Sequence, residues 1–256
     1  MSRELVLVER RGRVATVTLN RPDAMNALTV PLLASLADRL EEIASDDSMS
    51  VAVVTGSGRA FSAGVDLKAL KESGQDISKG DVGTELNSIA RWVQRLMETM
   101  PQATIAKVNG FCFTGALELV LACDIAVAAD EAKFGDTHAM IGLRPTWGLT
   151  QRLGRRTGLQ RARELSFTSR TITGVEAAEY GLVLESTPRK NLDVRVAELA
   201  DAIAGNSAGS VSAYKDLYRR SENDGLDDGL AYEARKTYAI GDVEERMAAI
   251  LKRLGA

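Results

Sequence analysis

An α/β core followed by a helical C-terminal region is predicted from three observations. Short apolar, β-branched runs alternate with helical periods up to about residue 128. From about residue 158 only helical periods remain. The 256 residues are 45% hydrophobic and 26% charged, ordinary values for a chain able to bury a sizeable core.

Residues 5–8 and Val14–Leu19 read as a hairpin around Arg10-Arg11-Gly12-Arg13, because Ala15, Val17 and Leu19 alternate with Thr16 and Thr18. A loop follows at Asn20-Arg21-Pro22-Asp23. Thr29 suits an N-cap, with Pro31 just inside the first turn. Leu32, Leu36, Leu40 and Ile43 then give an amphipathic helix over residues 30–44. Residues 51–54, Val-Ala-Val-Val, form a strand buried on both faces. It runs into a glycine-rich turn over residues 55–64, and residues 71–83 are a polar, glycine-bearing loop. A helix over 85–100, a strand over 104–108, a helix over 115–122 and a strand over 125–128 come next. Helices are predicted over 158–168, 174–180, 192–204, 211–221, 226–240 and 243–254. The charged string at 152–156 reads as a solvated helix end, and Trp92 and Trp147 as packing residues in a core or interface.

Charge and composition exclude several functions. With 32 Lys+Arg against 35 Asp+Glu the net charge is −3, which favours neither nucleic acid nor anionic membrane as a partner. Cys112 and Cys123 sit in apolar surroundings and read as buried thiols in a reducing compartment, not as a disulfide framework. Two cysteines and the single histidine, His138, do not make an ordinary zinc site, and no metal is expected. No apolar run reaches the roughly 18 residues of a membrane span, and the N-terminal residues lack the apolar core of a secretion signal. A cytoplasmic protein is expected.

Two segments, VAVVTGSGRAFSAGVDLKAL and TIAKVNGFCFTGALELVLACD, share the order apolar strand, glycine-bearing turn, helix. Glycine lets backbone approach a ligand, and a helix N-terminus offers unpaired N–H groups. Two such turns facing each other can hold a developing oxyanion; ordinary strand-to-helix turns read the same way. Glu118 lies one helical turn after Gly115, among Ala116, Leu117, Leu119, Val120 and Leu121. A carboxylate on so apolar a helix is costly unless paired or functional, and burial raises its pKa toward the range of a general acid or base. Gly56-x-Gly58 is half a dinucleotide fingerprint with its third glycine misplaced, and Phe61-Ser62-Ala63-Gly64 lacks the first glycine of a nucleophile elbow.

The strings NRPDAMNAL, GSGRAFSAGVDL, KVNGFCFTGALELVLACDIAVAAD, AKFGDTHAMIGLRPTWGLTQRLGR and AAEYGLV, in this order, resemble the crotonase superfamily of enoyl-CoA hydratases and isomerases, from about residue 5 to about residue 188. The resemblance implies a crotonase (ClpP-like) β-β-α spiral core over residues 1–190 carrying an acyl-CoA site. It implies a helical assembly region over 191–256, with homotrimers or hexamers. It puts two oxyanion-binding N–H groups on Val65 and Gly115, the first catalytic glutamate on Glu118, and CoA contacts on Ala24, Met25, Ala63, Asp66 and Leu67. CoA enters as part of the substrate, with no separate cofactor. The chain departs from the hydratase pattern at Phe134-Gly135-Asp136-Thr137-His138, where His138 stands in place of the second glutamate and Thr137 in place of a proline. The leading expectation is reversible hydration of a 2-enoyl-CoA to a 3-hydroxyacyl-CoA, with Glu118 as base assisted by His138. Alternatives are an enoyl-CoA isomerase or other enolate chemistry, and a non-catalytic acyl-CoA-binding homologue.

Overall fold

The computed structural model describes residues 4–254. Strands β1 (Val6–Arg11) and β2 (Val14–Leu19) form the expected hairpin, with Val8 opposite Val17. One 3₁₀ turn, Pro22–Ala24, follows. Helix α1 (Val30–Ala44) starts at Thr29, whose hydroxyl accepts from the Leu32 N–H. Three units then repeat one plan. Strand β3 (Val51–Gly56) is followed by short strand β4 (Ala60–Ser62) and helices α2 (Leu67–Glu72) and α3 (Thr84–Thr99). Strand β5 (Ala103–Val108) leads to β6 (Phe111–Phe113) and α4 (Gly115–Leu121). Strand β7 (Ile125–Ala129) leads to β8 (Lys133–Gly135) and the single helical turn α5 (His138–Ile141).

The first strand of each unit enters a six-stranded sheet of order β1-β2-β3-β5-β7-β10. The second enters a four-stranded sheet of order β4-β6-β8-β9. Between units the chain returns through helices, so the polypeptide advances as a β-β-α spiral. Within the small sheet β4, β6 and β8 are parallel neighbours. Their three exits therefore open side by side at one end of that sheet. After α5 come α6 (Leu149–Thr157), α7 (Leu159–Thr168), β9 (Ile172–Thr173), α8 (Gly174–Glu179) and β10 (Glu185–Thr187). Helices α9 (Arg189–Ala204), α10 (Ala208–Ser221), α11 (Leu226–Arg235) and α12 (Val243–Leu254) complete the chain.

The structure corrects three sequence readings. The helix expected over 226–240 stops at Arg235, and Lys236 is extended. The Tyr232 and Tyr238 hydroxyls both donate to Asp216 Oδ2, drawing the segment after Arg235 back onto α10. The turn over 55–64 contains a strand, β4, too short to show a period of its own. Trp92 is 47% exposed and tied to Glu41 Oε1 at 2.7 Å, which narrows its packing reading from core or interface to interface. The string at 152–156 is not simply solvated: Arg152 binds Glu98 and the Trp147 carbonyl, and Arg156 binds the Cys123 carbonyl. Both cysteines are buried free thiols. Among the described residues no helix is long and apolar enough to cross a membrane.

Candidate active site

Val65, Gly115 and His138 meet because they follow β4, β6 and β8. Phe113 stands opposite Gly135, and the Thr114 N–H donates to the Gly135 carbonyl at 2.9 Å. Gly64 adopts φ +86°, and a β-carbon on it would meet Thr114 Oγ1 at 2.4 Å. The first glycine turn therefore abuts the second. Among the described residues the Val65 and Gly115 N–H groups donate no hydrogen bond. Two backbone donors left unspent on adjoining turns suit a negatively charged oxygen.

The strand-to-helix turn at Thr114 is strained. Its φ of 46° and ψ of −113° are rarely adopted by a β-branched residue. That conformation starts α4 abruptly and carries Glu118 into the interior, where it is 1% exposed. Its two carboxylate oxygens have different surroundings. Oε1 accepts from the Trp147 N–H at 3.0 Å and the Leu149 N–H at 3.1 Å, at the N-terminus of α6. Oε2 faces His138 Nε2 at 3.8 Å, beyond hydrogen-bond range. Burial raises the Glu118 pKa; the neighbouring His138 and the two N–H donors oppose it, and the carboxyl settles at about 7.

His138 is buried, and its Nδ1 lies 2.7 Å from Asp136 Oδ1. Burial works against ionising Asp136, yet hydrogen bonds from His138 and Ser166 outweigh it and hold the carboxyl below its ordinary range. Asp136 escaped the sequence reading, although its spacing of two residues before the only histidine was a usable signal. Asn87 escaped it too. Its Oδ1 accepts from Trp147 Nε1 at 2.8 Å and Thr146 Oγ1 at 2.7 Å, fixing the loop that supplies both donors to Glu118. These contacts join α3 to a loop some sixty residues away, and no local pattern signals them.

The remaining predicted positions cluster beside the first turn. Met25 and Asn26 take left-handed backbone conformations, and the Ala63 N–H donates to the Met25 carbonyl at 2.9 Å. The loop holding Ala24 and Met25 thus lies along the turn holding Ala63. Asp66 caps α2 through the Ala69 N–H and pairs with Arg21 at 3.1 Å, so both its oxygens serve the local fold. Leu67 is 45% exposed. A cavity of about 350 Å³ lies elsewhere, beside α10 and lined by Lys215, Asp216, Arg219 and Tyr238. Lys215 is paired there with Asp124 and Arg219 with Asp216, so the chemistry is better sought at Glu118.

Comparison with known proteins points to one family. Residues 9–252 match the family described as enoyl-CoA hydratase/isomerase. The chain is 39% identical over 228 residues to an Arabidopsis thaliana protein named "Probable enoyl-CoA hydratase 1, peroxisomal", covering 88% of this chain and 81% of that one. It is 32% identical over 252 residues to the short-chain-enoyl-CoA hydratase of Clostridium acetobutylicum, covering 97% and 95%. A solved enoyl-CoA hydratase from Bacillus anthracis superposes with a TM-score of 0.85 at 34% identity, covering 90% of this chain and 88% of that one.

Proposed function

The chain belongs to the enoyl-CoA hydratase/isomerase family, and from that premise we propose that it catalyses the reversible hydration of a 2-enoyl-CoA to a 3-hydroxyacyl-CoA. The observation that carries this reading is the asymmetric setting of Glu118. Oε1 is held by two backbone donors, while Oε2 faces His138 Nε2 at 3.8 Å. Two atoms 3.8 Å apart are close enough for one water to reach both at about 2.8 Å.

Hydration needs one proton removed from water and one delivered to carbon. Glu118 Oε2 takes a proton from water as the oxygen bonds the β-carbon. The double-bond electrons move to the thioester oxygen, which the Val65 and Gly115 N–H groups receive. His138 Nε2–H gives its proton to the α-carbon, and the enolate collapses to the product thioester. The pair holds one proton before and after, so transfer from Glu118 back to His138 resets the site. No electrons are gained or lost, so the reaction calls for no redox cofactor. Ala24, Met25, Ala63, Asp66 and Leu67 border the proposed CoA path. Binding remote from the reacting carbons helps position them.

The test is loss of enoyl absorbance with purified 2-enoyl-CoA thioesters of graded chain length. Hydration at any length supports the reading. A shift of the double bond without water uptake would assign an isomerase, and binding without turnover a non-catalytic acyl-CoA protein.

We also propose that the chain assembles, as a homotrimer or hexamer, and acts in the cytoplasm. Leu226, Leu230, Met247, Ile250 and Leu254 on α11 and α12 are all more than half exposed, an apolar display that association would cover. A stable monomer by light scattering at micromolar concentration would refute the assembly.

A further inference from the structure

His138 must present one particular nitrogen to Glu118, and the structure shows what decides which. Glu118 does not decide it, because 3.8 Å is too long for a hydrogen bond to orient the ring. Asp136 Oδ1 does touch the ring, at 2.7 Å from Nδ1, and the same oxygen accepts from the His138 backbone N–H at 3.2 Å. One carboxylate oxygen thus fixes both the backbone and the imidazole of one residue. Asp136 is 3% exposed, so this contact is not shared with bulk water. An ionised carboxylate only accepts hydrogen bonds, so the nitrogen facing it must carry hydrogen.

We infer that Asp136 is a positioning residue that keeps the proton of neutral His138 on Nδ1, so that Nε2 is the nitrogen that exchanges a proton at the reacting centre. The inference rests on the proposed hydratase reading for its catalytic consequence, but not for the tautomer itself. With Nδ1–H fixed, the Nε2 lone pair of the neutral ring points to the Glu118 side and can be recharged from Glu118. When Nε2 is protonated, Asp136 stabilises the imidazolium that results. Without Asp136 the ring is free to turn or to carry its hydrogen on Nε2 when neutral. That form has no lone pair facing Glu118, and the resetting transfer stops.

The chain contains one histidine, so imidazole nitrogen signals need no assignment. Two-bond ¹H–¹⁵N correlation spectra of the intact, ¹⁵N-labelled protein, recorded at alkaline pH, read the tautomer directly. The expected result is a protonated Nδ1 and a bare Nε2 in the wild type, with Nε2–H gained in Asp136→Asn. The same variant is expected to lose ~10²-fold or more in kcat with KM changed only a few-fold, and to show an altered pH profile. A wild-type ring protonated on Nε2 overturns the inference, whether or not any variant folds. So does a folded Asp136→Asn with unchanged kcat and pH profile. The two readings fail separately: lack of turnover on every 2-enoyl-CoA defeats the hydratase proposal, while the nitrogen spectrum still decides the role of Asp136.

Discussion

Gly115 has no room for a β-carbon because the Trp147 ring lies 2.4 Å from where that carbon would sit. Trp147 is 2% exposed, so the ring has nowhere to retreat without repacking. Its backbone N–H is also one of the two donors to Glu118 Oε1. Gly115→Ala is therefore expected to push the indole aside and disturb both the proposed oxyanion donor and the glutamate. The outcome is a kcat lowered by ~10²-fold or more, since one oxyanion donor alone is typically worth that much. Steady-state kinetics, with a shift in Trp147 fluorescence read in a Trp92→Phe background, check it.

Asn87 is expected to be worth more than its distance along the chain suggests. Asn87→Ala leaves the buried Trp147 Nε1–H and the Thr146 hydroxyl without their shared acceptor. Stranding a buried polar group costs about 1–3 kcal/mol. Urea denaturation should show a loss in that range, and kcat should fall as the Trp147 loop slackens. A stability unchanged within ~0.5 kcal/mol would show that water replaces Asn87 without cost.

The long elements were legible because each repeats a pattern over several residues. Thr29, Leu32, Leu36 and Leu40 mark α1, and Val243–Leu254 matches the expected span of α12. The candidate site was legible where one residue contradicts its surroundings, as the buried Glu118 does on an apolar helix. The resemblance, not a local period, supplied Val65 and His138. What the pattern did not show are β4, β6 and β8, each three residues long and so without a measurable period. Those three strands are what bring residues 65, 115 and 138 to one place. Asp136 and Asn87 were missed for a different reason, since their roles depend on which atoms face them after folding.

Thr114 carries strain that glycine would relieve. A β-branched residue at φ 46° and ψ −113° costs on the order of 1–3 kcal/mol, against which glycine adds back up to about 1 kcal/mol of unfolded-chain entropy. Thr114→Gly is thus expected to stabilise the fold by ~1 kcal/mol. That corresponds to a Tm about 2–4 °C higher, measurable by calorimetry.

Glu118→Gln separates stability from catalysis, with a definite sign. The Glu118 pKa is about 7 in the folded protein against an ordinary 4.5, raised chiefly by burial. Below pH 4.5 the carboxyl is protonated whether the chain is folded or not, and the site carries no ionic penalty. Between pH 4.5 and 7 the unfolded chain releases a proton that the folded chain keeps, so wild-type stability falls as pH rises. Above pH 7 the full cost of a buried carboxylate is present, on the order of 3 kcal/mol. Glutamine keeps an oxygen to accept from the Trp147 and Leu149 N–H groups but never ionises. The variant should match the wild type in urea denaturation near pH 4 and exceed it by that amount at pH 8. Its kcat should fall by ~10³-fold, as expected for loss of a general base. Wild-type kcat/KM, in turn, should rise with pH along a limb centred near 7, as Glu118 ionises into its basic form. A variant more stable at pH 8 yet as active as wild type would show that the wild-type carboxylate is buried at a cost but takes no part in the chemistry.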